Sequence, residues 1–575
     1  MKLSDYIVEY LIRQNITDVF GYPGGMITHL MDSFRKYSER ITAHNTSHEQ
    51  GAAFAACGYA QTSGKPGIAY ATSGPGATNL VTGICNAYFD SLPVIFITGQ
   101  VNTFEAKDRL RVRQRGFQET DIVSMVSGVT KMAVYIESPD KIKYYLERAF
   151  AMAMEGRRGP VLLDIPMNVL RADIDADELI GYNKEFQGND ARRFQEELQK
   201  AVMKAKQPCF LFGNGIKSSG LEEKLKCVIN TLKIPFVTSM ISFDVFSDSP
   251  YYFGFIGAYG ERAANFIVAK SDLLITIGAR LDIRQVGAQR EKFAPNAEII
   301  RVDIDDGEFT YALHEDEKQY LLSAEQALDA AVNISCTQSF SEWLTICRTI
   351  KEQLKGYDDR EPNRWIQEIS RCIPRDCIIT TDVGQNQIWV AQSFVVKEKQ
   401  KVLFSGGHGA MGYSLPAAIG AFYGSGGKTI VSINGDGGIQ MNIQELQFIA
   451  REKLPIKIVI MNNKALGMIR HFQEMYFGGE YYLTNKDGGY SAPDFCKIAE
   501  AYGIPNGKIS NFDDLDHSEW IDNAGPFLLD IQLDGNTYVY PKLEFGKPNQ
   551  DQEPLLDRKL YKELMNLGIV NVENA

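Results

Sequence analysis

The chain has 575 residues, 44% apolar and 23% charged, with a formal net charge of −12. That length exceeds one hydrophobic core and predicts roughly three or four domains, and the acidic balance excludes a non-specific nucleic-acid binder, which needs a basic surface. Nine cysteines without a C-x-x-C pair argue against a zinc or dithiol motif and read as reduced residues of a cytoplasmic protein.

The N-terminal MKLSDYIVEYLIRQ spaces Leu3, Tyr6, Ile7, Tyr10 and Leu11 as one face of a helix. Charges interrupt it, unlike a secretory leader. No apolar run approaches the ~18 residues that cross a bilayer, so no membrane partner is expected. A short strand and glycine turn follow at 18–25. The segments 68–74, 92–100 and 159–166 are apolar, bounded by glycine, and read as buried parallel strands. Residues 170–205 are polar, a linker leading into a helix. A second α/β unit starts at 208–216 and continues through 273–282 and 298–305, with a polar connection around 313–345. A third unit holds strands at 377–384, 428–438, 456–463 and 525–533. The alternation predicts an α/β fold of three domains, each a central parallel sheet flanked by helices. Their expected limits are 1–170, 190–335 and 355–545, with a polar tail at 546–575.

The densest chemical signal lies at 434–463. Gly435-Asp436-Gly437-Gly438 follows an apolar strand, and the next strand ends in Asn462-Asn463, 27 positions beyond Asp436. A carboxylate and an amide oxygen at the carboxyl ends of neighbouring parallel strands can share one Mg²⁺, which wants hard oxygen ligands and keeps phosphate oxygens among them. That edge is where open α/β sheets bind ligands, and the glycines admit a diphosphate close to the backbone.

The spacing resembles the thiamine-diphosphate enzymes. FGYPGG (20–25), HEQGAAFAACGYA (48–60), ATSGPGATNLVTGI (71–84), FQETDIV (117–123), MGYSLPAAIGA (411–421) and MNIQELQ…LGMI (441–469) are similar to acetolactate (acetohydroxyacid) synthase catalytic subunits. The resemblance implies an N-terminal pyrimidine-binding domain, a central domain and a C-terminal diphosphate and Mg-binding domain. It implies active sites between subunits of a homodimer or homotetramer. Glu49 matches the catalytic glutamate that activates the cofactor. Asp436, Asn463 and the Ala465 carbonyl match the metal ligands. Gly25, Val383, Gly384, Gln385, Asn386, Gly409, Met411, Gly435, Gly437, Gly438, Gly467 and Met468 match further cofactor positions. Met411 is the wedge that bends the cofactor, and the Gly409 carbonyl accepts from its pyrimidine amino group. Met26, Phe117, Gln118, Lys131 and Phe472 match substrate positions, with Lys131 equally readable as surface charge. Arg157, Gly213, Gly215, Arg280, Asp282, Arg284 and Asp303 fall in segments that contact FAD in this family.

The implied reaction is loss of carbon dioxide from pyruvate or a related 2-ketoacid and transfer of the two-carbon unit to a second carbonyl compound. No adjacent His-His pair of the aldehyde-releasing decarboxylases occurs. The sequence departs from the synthases at several points. Phe472 stands for a tryptophan, Asn386 for a histidine, and Met26 for a smaller residue. Gly213-Asn214-Gly215 lacks the family's triple glycine. Segment 101–116 is about six residues longer than usual and holds Lys107, Arg109, Arg111, Arg113 and Arg115, whose alternation predicts one face of an extended strand. These cations read either as subunit-interface ion pairs or as a site for an anionic second substrate. The tail 540–556 is similar to synthase-like proteins of surface-sugar pathways, which leaves acetyl transfer to a nucleotide-linked keto sugar as an alternative. A catalytically silent cofactor-binding paralogue is the non-enzyme alternative.

Overall fold

The computed structural model describes residues 1–183, 191–397, 399–515 and 520–568. Among them are three six-stranded sheets in which every neighbouring pair of strands is parallel. The first comprises β1 (Asp18–Gly21), β2 (Thr42–Asn45), β3 (Gly67–Ala71), β4 (Val94–Gln100), β5 (Met132–Tyr135) and β6 (Val161–Pro166), in the order β2-β1-β3-β4-β6-β5. The second comprises β7 (Pro208–Phe212), β8 (Phe236–Thr238), β9 (Tyr252–Phe255), β10 (Leu273–Ile277), β11 (Glu298–Asp303) and β12 (Lys318–Leu321), in the order β12-β11-β10-β7-β8-β9. The third comprises β13 (Ile378–Thr381), β14 (Lys401–Leu403), β15 (Ile430–Gly435), β16 (Ile456–Asn462), β17 (Asn506–Ile509) and β18 (Phe527–Gln532), in the order β14-β13-β15-β16-β18-β17.

The apolar runs anticipated as strands are the central ones. Every residue of β4 and of β6 is buried, as parallel strands covered on both faces must be. The edge strands β2, β5 and β12 lack that signature because solvent or loops cover one side. The first and third sheets share one strand order, and in both the order reverses between the first and third strands in chain order. The second has the other common doubly wound order, reversing between β7 and β10. Such reversal points open a crevice at the carboxyl ends of the strands, where ligands bind.

The chain divides into two compact units. One takes Met1–Phe186, Cys372–Gln387 and Lys397–Thr537, hence the first and third sheets. Its principal internal contact joins the helix Glu49–Ser63 to the helix Ser414–Gly424. Their backbones approach so closely that a Cβ on Gly58 would strike the Ala417 carbonyl, and one on Gly420 the Ala55 carbonyl. The small residues at 51–60 and 417–421 exist for this seam.

The other unit takes Gln187–Arg371, Ile388–Val396 and Tyr538–Ala575. Three expectations change here. The polar stretch around 313–345 is not a bare connection: it holds β12 and the helix Ala324–Val332, and Trp343 and Leu344 join the same core. The polar tail does not stand apart. Leu556 and Leu564 belong to that core, the Leu543 N–H donates to the Ala258 carbonyl at 2.7 Å, and Arg262 donates to the Gln552 and Pro554 carbonyls. Of the expected linker, 184–190 lies outside the described residues, and much of the rest is the helix Arg192–Lys204. In the first unit, the arginine-rich segment is a turn-rich loop and not an extended strand, with Asp108 at φ 43°.

The seam between the two helices makes a direct prediction. Gly420→Ala should destabilise the protein by about 1–3 kcal/mol through overpacking. The urea unfolding midpoint measures it, and an unchanged midpoint would refute the close approach.

Candidate functional site

The carboxyl end of the third sheet gathers the residues anticipated for metal and diphosphate. Asp436 follows β15 and Asn463 follows β16, the neighbouring strand paired with it through Gly435 and Met461. Asp436 is buried, and its carboxylate accepts from the Tyr490 hydroxyl at 3.2 Å. Burial pushes its pKa up to about 7, against hydrogen bonds from Tyr490 and from the N–H groups of Gly437 and Ala465. Ala465 thus sits beside the carboxylate. The Asn463 amide nitrogen donates to Gln385 Oε1 at 2.8 Å and to Thr537 Oγ1 at 3.1 Å. Gln385 is itself held by donation to the Thr537 carbonyl at 2.9 Å. The nitrogen of Asn463 is therefore committed, and its oxygen is left to serve as a ligand. A costly buried carboxylate beside an oriented amide oxygen is a donor set suited to a hard cation.

Val383 and Gly384 form the turn after β13, and Gln385 and Asn386 open the next helix, at the strand-order reversal between β13 and β15. Asn386 donates to the Asp382 carbonyl at 2.7 Å, and its oxygen closes the space beside Gly384 and Gly435. A Cβ on Gly437 would lie 2.6 Å from Leu466 and 3.4 Å from the Met411 methyl. A Cβ on Gly467 would collide with the Gln385 amide. Met468 follows on the same helix, Gly467–Tyr476. The structure therefore brings Gln385, Asn386, Met411, Gly435, Asp436, Gly437, Gly438, Asn463, Ala465 and Gly467 into one cluster. Gly409, with φ 68°, lies two residues before Met411.

Asp382 was not anticipated. It is fully buried, and its carboxylate accepts from the N–H groups of Gly412 at 3.0 Å and Ser414 at 3.1 Å. Burial pushes its pKa up to about 6 against those bonds. It ties the segment carrying Gly409 and Met411 to the turn carrying Gln385. Its position at the end of an apolar strand was a readable signal. Tyr490 and Thr537 carried none, since both reach the site from distant loops.

The second cluster lies at the carboxyl end of the first sheet, at the reversal between β1 and β3. Glu49 opens its helix, is 7% exposed, and accepts from the Asn79 amide at 2.9 Å. A Cβ on Gly76 would lie 3.1 Å from its other oxygen, so the Ser73–Asn79 turn wraps the carboxyl. Gly25 and Met26 form the turn after β1, and the Met26 N–H donates to Thr72 Oγ1 at 3.1 Å. Gln118 packs on Gly74 of the same turn, and the neighbouring Phe117 is 78% exposed. Gly25, Met26, Glu49 and Gln118 thus stand at one edge. Lys131 does not join them. It precedes β5 at the amino end of the sheet, and its ammonium donates to the Glu155 carbonyl at 2.6 Å. Phe472 is half-exposed and lies tilted against Tyr476, with ring centres 4.6 Å apart.

Glu445 links the two clusters and was likewise unanticipated, though it lies within the motif MNIQELQ. It is fully buried and accepts from the Ser47 N–H at 3.0 Å and from that of His48, at the start of the Glu49 helix. Burial pushes its pKa up to about 7. Asn442 donates to Gln50 at 3.0 Å and to the Gly412 carbonyl at 2.9 Å.

Of the residues anticipated for flavin, Gly213 and Gly215 follow β7, Arg280 and Asp282 follow β10, and Asp303 ends β11, three adjacent strands at the reversal point of the second sheet. The Gly213–Gly215 turn packs backbone to backbone on Gly278. Arg280 is paired with Asp282 at 2.7 Å, and the Arg284 N–H donates to the same carboxylate at 2.9 Å. Arg157 belongs to the other unit, where it donates to Ser91 at 3.0 Å.

Three family models match the chain in order. The N-terminal TPP binding domain of thiamine pyrophosphate enzymes matches 1–125, their central domain 196–330, and their C-terminal TPP binding domain 382–531. The chain is 34% identical over 566 residues to acetolactate synthase isozyme 2 large subunit of Escherichia coli (strain K12), covering 96% of this chain and 99% of that one. It is 35% identical over 561 residues to a probable acetolactate synthase large subunit of Methanocaldococcus jannaschii, covering 93% and 92%. It is 34% identical over 572 residues to the chloroplastic acetolactate synthase 1 of Oryza sativa subsp. japonica, covering 96% and 87%. The three sheets follow the order of the three matched domains, and the chain belongs to the thiamine pyrophosphate enzymes, as an acetolactate synthase-like carboligase.

Proposed function

We propose that the protein decarboxylates pyruvate or a related 2-ketoacid with Mg²⁺ and transfers the two-carbon unit to a second carbonyl compound. The observation that carries this reading is the Asp436–Asn463 pair, with Gln385 and Thr537 orienting the amide. When bound, the thiamine cofactor supplies the electron sink that loss of carbon dioxide requires. The chain's own residues do the rest. Asp436, Asn463 and the Ala465 carbonyl would hold Mg²⁺ against the diphosphate. Gly435, Gly437 and Gly438 would line the same group, with Val383, Gly384, Gln385 and Asn386 on its other side. Gly409 and Met411 would set the bend of the cofactor. Glu49, kept in place by Asn79, would exchange a proton with the pyrimidine ring. Met26, Phe117, Gln118 and Phe472 would shape the second-substrate site.

We read the active sites as shared between two copies of the chain, in a homodimer or homotetramer, as the family resemblance implies. We also read the middle domain as holding FAD in a structural role. Its Gly213–Gly215, Gly278–Asp282 and Asp303 edges meet at the reversal point of a dinucleotide-type sheet. We place the protein in the cytoplasm because none of its nine cysteines is joined in a disulfide. Among the described residues, no helix is long and apolar enough to cross a membrane.

Four measurements test these statements. Protein supplied with cofactor, Mg²⁺ and pyruvate should release carbon dioxide, and Glu49→Gln should slow this about 10²- to 10⁴-fold. No release from any 2-ketoacid would sink the reading. Asp382→Asn should weaken cofactor affinity about tenfold, because one of two buried N–H donors loses its acceptor. Isothermal titration with the cofactor reads it. Mixing Glu49→Gln chains with Asp436→Ala chains under exchanging conditions should restore about a quarter of wild-type activity if sites are shared between two subunits. No recovery would place each site within one chain. Purified protein should release FAD on denaturation, and a colourless protein releasing none would remove the flavin.

A further inference from the structure

β6 is a buried apolar strand with one charged intruder, Asp164. Its carboxyl group is 2% exposed, and burial pushes its pKa up to about 7. A carboxylate so deep is costly unless its oxygens are hydrogen-bonded. The partners come from β4. The two strands run side by side with Thr98 opposite Asp164, and alternation puts Gln100 on the same face as Thr98. Thr98 Oγ1 donates to one carboxyl oxygen at 2.7 Å, and Gln100 Nε2 donates to the other at 3.0 Å.

Gln100 carries the link onward. The same nitrogen donates to the Thr120 carbonyl at 2.8 Å, and the amide oxygen accepts from the Val101 N–H at 3.0 Å. Two acceptors on the nitrogen and a donor on the oxygen leave the amide one orientation. Thr120 ends the stretch Gly116–Thr120, which brings Phe117 and Gln118 to the rim of the Glu49 cluster. Gln118 packs on Gly74 in the turn that wraps Glu49. Gln118 has φ 62°, a left-handed conformation that a non-glycine residue keeps only when its surroundings hold it. The Glu119 carboxylate holds the stretch from one side, accepting from the N–H groups of Lys107 at 2.6 Å, Arg115 at 3.0 Å and Gly116 at 3.2 Å. Gln100, set by Asp164, holds it from the other. The same end of β4 also meets the Met26 turn, since a Cβ on Gly99 would strike the Met26 carbonyl.

We propose that Asp164 is a positioning residue: through Gln100 it fixes the Phe117–Gln118 turn against the Glu49 cluster and so sets the geometry of the second-substrate site. The proposal rests on the carboligase reading for the identity of that site. It gives Asp164 no contact with substrate or cofactor.

The test uses the full-length protein. Without cofactor, hydrogen–deuterium exchange over 116–122 should be about tenfold faster in Asp164→Ala, while the helix Glu49–Ser63 exchanges as in wild type. Asp164→Asn should return close to the wild-type rate, because its amide oxygen still accepts from Gln100 and the Thr98 hydroxyl can turn to accept from its nitrogen. With cofactor, Mg²⁺ and pyruvate as both donor and acceptor, Asp164→Ala should raise KM about tenfold and lower kcat less than about threefold, and Asp164→Asn should restore KM. Gln100→Ala should reproduce the Asp164→Ala changes, and the double variant should add nothing further, as residues acting in series require. Wild-type exchange and KM in Asp164→Ala, or additive effects in the double variant, overturn the proposal. So does equal quickening of exchange throughout β4, β6 and the Glu49–Ser63 helix, which would make Asp164 a general stabiliser of the sheet. Should Asp164→Ala not fold, Gln100→Ala decides, and unchanged exchange over 116–122 in that variant overturns the proposal. Wild-type protein that releases no carbon dioxide from any 2-ketoacid sinks the carboligase reading alone, and the exchange measurement still decides whether Asp164 holds the turn.

Discussion

The close approach of the helices Glu49–Ser63 and Ser414–Gly424 is the contact from which the catalytic unit is organised. Alanine and glycine along both helices let the two backbones touch, and a single added methyl at Gly58 or Gly420 has no room. Interiors packed at this density resist small displacements, so the seam works as a rigid joint. Glu49 opens the first helix, and Met411 lies three residues before the second. One interface therefore sets the origin of both chemical groups. Glu445 reinforces it by accepting the N–H groups of Ser47 and His48 from across the joint.

Three carboxyl groups buried at this centre, those of Asp382, Asp436 and Glu445, all have pKa values pushed upward by burial. Their surroundings separate their roles. Asp382 and Glu445 face backbone N–H groups of other segments and act as braces. Asp436 follows β15, next to the strand that ends before Asn463, and is the carboxylate proposed as a cation ligand. The same sheet order in the first and third domains places an opening at equivalent points. The middle sheet, wound in the dinucleotide-type order, offers its opening at the Gly213–Gly278 contact.

Much of this was readable along the chain. Short apolar runs such as 94–97 and 458–461 announce strands buried on both faces. Asp436 and Asn463, the proposed metal pair, were readable because they sit where two such runs end. Glu49, by contrast, was identified through the family motif around it. The edge strands β2, β5 and β12 went unanticipated, since β2 and β12 carry polar residues and the apolar run of β5 is only four residues long. The tail beyond 545 looked detached because its sequence is mostly polar, yet Leu556 and Leu564 join the middle core and Gln552 donates to the Gly260 carbonyl.

Local pattern thus accounts for the three parallel sheets, their order along the chain, and the residues at the ends of their central strands. Those features depend on periodicity and on glycine spacing, which neighbouring residues express. The bracing of Asn463 by Gln385 and Thr537, the reach of Tyr490 to Asp436, and the closing of the arginine loop by Glu119 follow a different logic. In the Asn463 and Tyr490 contacts the partners stand 54 to 78 positions apart. Glu119 is near in sequence, yet it could as well have neutralised the arginines as their backbone. Which of these pairings forms depends on how the chain crosses itself, and that is settled only when the sheets and the helix seam are assembled.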